Sequence, residues 1–423
     1  MLQIGFIRDN KDEVIERLAV KNFDASKIIE KCIELDDDRK TTQNELDAIL
    51  NESNKLAKEV GALFKQGKKE DAEELKNKSV ALKETSAKLS DLLKSTEEAL
   101  QELLVQVPNI PHTSVPKGVN ENDNETIFEE GEIPTMDSKA KPHWELAEQY
   151  DLIDFELGVK LTGAGFPIYK GKAARLQRAL INFFLDKAIA AGYLEVQPPI
   201  LVNEASGYGT GQLPDKEGQM YHVTGDNLYL IPTAEVPITN IFRNEILKAD
   251  ELPRKVCGYT PCFRREAGSY GKDVRGLNRL HQFDKVEIVQ VAHPDKSYDV
   301  LEDMRNYVGS LLKDLELPYR ILRLCGGDVS FASALTYDFE TFSAAQEKWL
   351  EVSSVSNFET FQSNRLKLRF KEGGGKPQLA HTLNGSALAL PRIVATLLEN
   401  NQTPDGIVVP KALQPYTGFE IIN

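Results

Sequence analysis

Two segments of this 423-residue sequence carry side chains suited to one chemistry. Phe263-Arg264-Arg265-Glu266-Ala267-Gly268 opens a polar loop, and His281-Gln282-Phe283-Asp284-Lys285-Val286-Glu287 follows it. Both segments read as strands, in which successive side chains alternate faces. Arg264 and Glu266 are then expected on one face, and Phe283, Lys285 and Glu287 on one face of the second strand. Paired, the two strands would present an arginine, two carboxylates and an aromatic plane on one surface. Arginine forks onto phosphate. An aromatic ring stacks on a base, and a carboxylate holds an ammonium or an exocyclic amine. The set suits a nucleotide together with an amino acid. Any one of these residues alone reads equally as half of a cross-strand salt bridge.

Two further clusters extend the same theme. Glu351-Val352-Ser353-Ser354 is acidic and hydroxylic, as a Mg²⁺ ion on triphosphate oxygens would require. Asn384-Gly385-Ser386 runs through Ala389-Leu390-Pro391-Arg392 into the apolar stretch Ile393–Leu398. Proline is tolerated in a first helical turn, which puts Arg392 near a helix N-terminus, where anions are favoured. The glycine-rich stretches at 165–173 and 372–377 fail as phosphate loops. The first has five residues between its glycines and Ala173 where a hydroxyl is needed; the second lacks the flanking strand and helix. Gly207-Tyr208-Gly209-Thr210-Gly211 reads as a flexible turn.

The elements that must position these residues are legible in outline. Strands are expected at Leu194–Val202, Leu228–Ile231, Gly258–Arg265 and His281–Val291. Helices are expected at Lys172–Ala191, Ala234–Arg243, Ser297–Leu315 and Pro391–Asn400. Long antiparallel-looking strands with helices elsewhere indicate an α+β fold.

Residues 27–104 are different text, with two glycines, Gly61 and Gly67, and no proline. Apolar and small residues follow a 4-3 alternation from Ile28 to Leu63, and again from Ala72 to Leu103. The pattern predicts an antiparallel helical hairpin, a coiled coil, turning near residues 67–68. Leu63 then faces Ala72, Leu56 faces Ser79 and Ser53 faces Leu82, large against small. A parallel dimer of continuous rods is the alternative, opposed by the glycine-bearing break. Two helices cannot build a globular core, so the hairpin is expected to project from a body. Its tip, residues 55–83, holds eight lysines against five carboxylates. Lys55, Lys58, Lys65, Lys68, Lys69, Lys76 and Lys78 read either as a solvated face or as contacts to a nucleic-acid backbone. Pro108–Pro116 is linker-like, so the domains are expected at 1–106 and 107–423.

Composition bounds the rest. Hydrophobic residues make up 41% and charged residues 27%, which is ordinary folded composition. The net charge of −14 excludes a wholly basic nucleic-acid binder but not a local basic surface. No apolar run approaches a membrane span, and the N-terminus lacks a secretory pattern. Four scattered cysteines, Cys32, Cys257, Cys262 and Cys325, fit a reducing compartment and lack zinc-site spacing. A cytoplasmic location without membrane association is expected.

The residues also carry a resemblance. Phe263-Arg264-x-Glu266, with Arg279 and Phe283 downstream, resembles motif 2 of the class II aminoacyl-tRNA synthetases (about 258–291). Ala389-Leu390-Pro391-Arg392 resembles motif 3 (about 383–400), and Gly192–Pro199 resembles motif 1 (about 190–200). Ile231-Pro232-Thr233-Ala234-Glu235, Asn384-Gly385-Ser386 and the hairpin are similar to the bacterial-type seryl-tRNA synthetase family. The resemblance covers essentially the whole chain.

It implies an antiparallel β-sheet catalytic domain, a homodimer formed through the motif 1 region, and an aminoacyl-tRNA ligase. L-serine and ATP would give seryl-adenylate and pyrophosphate, and serine would pass to the terminal ribose of tRNA(Ser), with tRNA(Sec) a further candidate. On the resemblance, Arg264 would hold the α-phosphate and the serine carboxylate. Glu266 would meet the adenine amino group, Phe283 would stack on adenine, and Arg392 would hold the γ-phosphate. Arg265, Arg279, Leu280 and the run Glu351, Val352, Ser353 and Ser354 would complete the ATP site, with Glu351 and Ser354 on Mg²⁺. Thr233, Ala234, Glu235, Glu287, Asn384 and Ser386 would surround serine. The hairpin lysines would contact tRNA. No zinc and no editing domain are implied. A synthetase-derived protein with another acceptor, or a non-catalytic RNA binder, is the alternative. Val355 stands where bacterial relatives often carry cysteine, and Gln362-Ser363-Asn364-Arg365-Leu366 departs slightly from the usual pattern. Neither departure is expected to touch the ligands.

Overall fold

A computed structural model describes residues 1–136, 139–267 and 275–423. The chain divides into two compact units, one of residues 1–19 and 23–108, the other of residues 20–22 and 109–423.

The first unit is helical: α1 (Ile4–Asp9), α2 (Lys11–Val20), α3 (Ser26–Lys65) and α4 (Lys69–Leu104). At 1.5 Å per residue α3 is roughly 60 Å long, and α4 packs back along it. The reversal has a physical cause. Gly67 takes φ +79°, the Gly67 N–H donates to the Phe64 carbonyl and the Lys68 N–H donates to the Leu63 carbonyl. This pairing satisfies the last carbonyls of α3 and turns the chain. Along the hairpin the covered residues are the heptad set. Thr42, Leu46, Leu56, Ala72, Thr96 and Leu100 are buried, and Ile49, Ser53, Val60, Leu63, Leu75, Ser79 and Leu82 are half-buried. Lys78 and Glu52 tie the two arms across the seam at 3.0 Å. Near the root, Asp36 is buried and draws in Arg8, Arg39 and Lys40 at 2.7–2.8 Å. Burial alone would raise its pKa; the bonds from Lys40, Arg39 and Arg8 win and hold it at about 2. That carboxylate explains an arginine, Arg39, at a seam position.

The second unit is built on an eight-stranded sheet. Its strands are β1 (Glu125–Glu130), β2 (Leu194–Glu195), β3 (Arg254–Phe263), β4 (Gln282–Ala292), β5 (Tyr319–Arg323), β6 (Leu335–Ser343), β7 (Lys348–Glu359) and β8 (His381–Ala389). The spatial order is β1-β5-β6-β7-β8-β4-β3-β2, antiparallel except for the β2–β3 pair. Around it lie α5 (His143–Gln149), α6 (Gly171–Ala190), α7 (Glu235–Asn240), α8 (Ser297–Asp314) and α9 (Leu390–Asn400). Along β4 the faces separate by chemistry. Val286 and Ile288 join the main apolar core with Phe184 of α6, Leu311 of α8 and Ile393 of α9. Lys285 and Glu287 point the other way, and beyond them Val289 and Val291 pack on Ala234 and Ile238. The expected sharing of one face by Phe283, Lys285 and Glu287 therefore follows from the pleat.

Several expectations are corrected. The strand expected over Leu194–Val202 is two short strands, Leu194–Glu195 and Leu201–Asn203, because Pro198 and Pro199 have no N–H to donate to a ladder. The Gly207–Gly211 turn is instead the end of a helix, Glu204–Thr210, closed by Gly211 at φ +100°. A Cβ at Gly209 would meet the Leu366 side chain at 2.6 Å. The Ala234–Arg243 helix shortens to Glu235–Asn240. Cys257 and Cys262 are buried free thiols within β3. Val355 is a core residue, as expected, lying beside Gly385 on the neighbouring strand.

Candidate active site

β4 lies between β3 and β8, and its register sets the site. Phe283 stands opposite Cys262, and Lys285 stands opposite Thr260. Glu287 has Gly258 on one side and Ser386 on the other. A side chain at 258 would meet the Val196 carbonyl at 2.6 Å, so glycine keeps that place free.

Above this surface is a cleft of about 260 Å³. Its walls include Arg264, Glu266, Arg279, Leu280, Phe283, the run Glu351–Ser354, Ser386 and Arg392. Arg264 and Glu266 do not share a strand face as expected, although both reach the cleft. β3 stops at Phe263, and Glu266 lies beyond it in a left-handed turn with φ +50°. The turn re-aims Glu266, which pairs with Arg279. Arg264 stacks its guanidinium 5.2 Å from the Phe283 ring centre and donates to the Pro232 carbonyl. Arg265 is exposed and does not line the cleft. The polar loop expected after Ala267 runs through residues 268–274, outside the described residues.

Arg392 sits in the first turn of α9, after Leu390 and Pro391. Its Nε donates to the Asn278 carbonyl at 3.1 Å and its Nη1 to the Glu351 carbonyl at 2.7 Å. The guanidinium is thus oriented by two backbone oxygens, with the Glu351 carboxylate 3.7 Å away. Ser353 donates to the Ser386 carbonyl, joining β7 to β8.

Next to the cleft lies a buried polar group. Lys285 Nζ is 2.6 Å from Glu287 Oε2, and Thr233 donates to the same oxygen at 3.3 Å. Glu235 follows, its N–H bonded to Thr233 Oγ1. Burial, reinforced by Glu287, pushes the Glu235 pKa up to about 7, against a hydrogen bond from Gln362 and the charge of Lys285. Asn384 also favours the ionised Glu235, yet its Nδ2 is buried with no hydrogen-bond partner within 3.5 Å among the described residues. Ala234 is buried at the base of this group.

Three residues escaped sequence reasoning. Gln362 donates to Glu235 at 2.6 Å and accepts from Thr382, so the 362–366 segment does reach the site. Asp338 stands opposite Ser354 on the neighbouring strand. Burial and the nearby Glu351 raise its pKa well above the carboxylate range. Asn278 serves through its carbonyl, which no side-chain pattern announces. The first two could have been sought only as polar residues inside apolar strand or helix text.

Among the described residues no group of three or more His, Cys, Asp or Glu gathers as a metal site. Glu351 and Ser354 nevertheless line one cleft as two oxygen donors. That fits Mg²⁺, which keeps waters and takes its other ligands from phosphate. The hairpin lysines Lys55, Lys58, Lys65, Lys68, Lys69, Lys76 and Lys78 are all exposed on the first unit.

The chain is similar to known proteins along its whole length. Residues 221–401 match the tRNA synthetase class II core domain (G, H, P, S and T). Residues 1–111 match the seryl-tRNA synthetase N-terminal domain. A serine–tRNA ligase of Salinibacter ruber is 52% identical over 425 residues, covering 100% of this chain and 99% of that protein. One from Chlorobaculum parvum is 47% identical, covering 100% of both. Among solved structures, seryl-tRNA synthetase from Pyrococcus horikoshii complexed with ATP superposes with a TM-score of 0.91 at 34% identity, covering 100% of this chain and 99% of that one.

Proposed function

This chain belongs to the seryl-tRNA synthetase family, and on that footing we propose that it activates L-serine with ATP and transfers it to tRNA(Ser). The observation that carries the reading is one cleft in which Arg264, Glu266, Phe283 and Arg392 meet, beside the buried Thr233, Glu235 and Glu287.

In the first step a serine carboxylate oxygen bonds to the α-phosphorus and pyrophosphate leaves. Two anions must approach, and Arg264, fixed over Phe283, offsets their repulsion and the charge that grows in the transition state. Phe283 offers its ring to the base, and Glu266 accepts from the adenine amino group. Arg392 takes the terminal phosphate from its two backbone anchors. Arg279 and Leu280 complete the nucleotide wall. Mg²⁺ on Glu351 and Ser354 would supply charge neutralisation to the phosphates. Glu287 and Glu235 hold the serine ammonium, with Thr233 fixing Glu287. The unpaired Asn384 amide and Ser386 face the serine hydroxyl. A site that hydrogen-bonds a hydroxyl rejects alanine, because its own polar groups would be left unpaired. In the second step a ribose hydroxyl of the tRNA terminus attacks the seryl carbonyl and AMP leaves. No covalent enzyme intermediate is needed, and positioning supplies most of the acceleration.

The helical hairpin is assigned the tRNA: its exposed lysines engage the backbone of the long variable arm by charge and shape. We also assign a homodimer through the motif 1 region and a cytoplasmic location. No helix among the described residues is long and apolar enough to cross a membrane.

The test is serine-dependent exchange of labelled pyrophosphate into ATP, run beside threonine and alanine. Exchange with serine alone is expected. No exchange with serine from folded protein supplied with Mg²⁺ overturns the assignment.

A further inference from the structure

Outside the cleft, His143 and Glu399 form a buried pair that the reaction does not use directly; both side chains are 0% exposed. The contacts assign the donor and acceptor roles of the two ring nitrogens. The Leu277 N–H donates to His143 Nε2 at 2.8 Å, so Nε2 carries no proton and Nδ1 carries it. That Nδ1–H donates to Glu399 Oε1 at 2.7 Å. Glu399 receives three more donors: the His143 backbone N–H at 2.8 Å, Gln346 Nε2 at 2.8 Å and the Ser343 hydroxyl. A carboxylate ringed by donors is locked in place, and through it the imidazole is locked in one tautomer. Gly276 completes the fit: a Cβ there would lie 2.1 Å from His143 Nε2, and its φ is +66°.

The segment held by this pair is the one assigned to ATP. Leu277 is followed by Asn278, whose carbonyl anchors Arg392, then by Arg279, which pairs with Glu266, and by Leu280 in the cleft wall. Glu399 lies on α9, the helix whose first turn carries Arg392. One buried link therefore ties the far end of α9, through α5, back to the segment that orients the first turn of α9.

We propose that His143, fixed by Glu399, is a positioning residue for ATP: it sets the Gly276–Leu280 segment so that Arg392 and the Arg279–Glu266 pair stand where the nucleotide needs them. This rests on the serine-activation reading. Its consequence is selective, since the serine-side residues Thr233, Glu235 and Glu287 make no bond to the segment among the contacts described.

The experiment compares His143→Asn with His143→Gln in the full chain, by pyrophosphate exchange and thermal melting. Asparagine keeps a donor for Glu399 but cannot reach Leu277. Glutamine places a carbonyl near the ε position, where it accepts from the Leu277 N–H. For His143→Asn the kcat/KM for ATP falls roughly ten- to hundredfold while the KM for serine stays within about twofold, and His143→Gln recovers most of the loss. A folded His143→Asn with unchanged ATP kinetics overturns the proposal. So do equal losses in both variants that affect ATP and serine alike, which is the mark of a merely structural role. If His143→Asn does not fold, Gly276→Ala decides, because its Cβ would press on His143 Nε2 and disturb the same contact from the other side: an ATP-selective loss supports the proposal and unchanged ATP kinetics overturns it. Absence of serine-dependent exchange in the unaltered protein is a separate result, and it overturns the serine-activation reading instead.

Discussion

Lys285 and Glu287 sit two residues apart on one face of β4 and close a buried ion pair of 2.6 Å, with side chains 8% and 2% exposed. The pleat places both charges on the same side, between Thr260 and Gly258 of β3 and Ala389 and Ser386 of β8. Without Lys285, Glu287 would be a buried carboxylate held, among the described residues, by the Thr233 hydroxyl at 3.3 Å alone.

Lys285→Met should therefore lower stability by about 3–5 kcal/mol, the usual cost of leaving one partner of a buried pair uncompensated. Urea unfolding of the variant and the unaltered protein measures this. A loss below about 1 kcal/mol would mean that Glu287 finds another cation or takes up a proton.

Arg264 forks, and lysine does not. Arg264→Ala and Arg264→Lys should both reduce pyrophosphate exchange by at least about a hundredfold, in the range seen when one preorganised charge-stabilising donor is removed. Circular dichroism should be unchanged, since Arg264 is not part of the apolar core. Full activity in Arg264→Lys would show that charge alone suffices.

If Glu235 holds the serine ammonium as proposed, serine binding should depend on pH. Its folded pKa, about 7, lies above the ordinary 4.5, mainly through burial. Below pH 7 the carboxyl is largely neutral and must lose its proton to meet an ammonium. The KM for serine should rise as pH falls below 7, by at most about tenfold per unit, and level off above it. The sign for stability is opposite. The folded state holds this proton between about pH 4.5 and 7 and the unfolded state does not, so the unliganded protein loses stability as pH rises through that window. Glu235→Gln should bind serine weakly with a flat profile over the same range. A serine KM independent of pH in the unaltered protein refutes the assigned ammonium contact.

The hairpin can be shortened in register. Facing residues sum to 135 in the heptad pairing, so removing residues 44–91 and rejoining the arms with a short turn keeps Thr42 opposite Leu93. It also spares Asp36 and its cations. Pyrophosphate exchange should persist while tRNA charging drops by orders of magnitude. Neutralising Lys55, Lys58, Lys65 and Lys68 to glutamine should flatten the salt dependence of tRNA binding. Charging by the shortened chain at the full rate would make the hairpin purely structural.

The hairpin was legible because its information is local. A heptad and a glycine specify two helices and a Schellman turn without help from distant residues. The alternation of β4 was legible for the same reason, since a period of two sorts Lys285 and Glu287 from Val286 and Ile288 wherever the strand lies. The residue types Arg264, Glu266, Phe283 and Arg392 suggested a nucleotide ligand from the sequence, and the fold brings all four to one cleft. What the sequence left open depends on contacts far apart in the chain. Glu266 reaches the cleft through a left-handed turn, not through strand alternation. Gln362 reaches Glu235 across 127 residues, and His143 meets Glu399 across 256. A lone polar residue in the sequence carries no mark of its partner. Burial makes each such residue matter, because an unpaired polar group there costs free energy, and burial exists only once the sheet and its helices have closed around it.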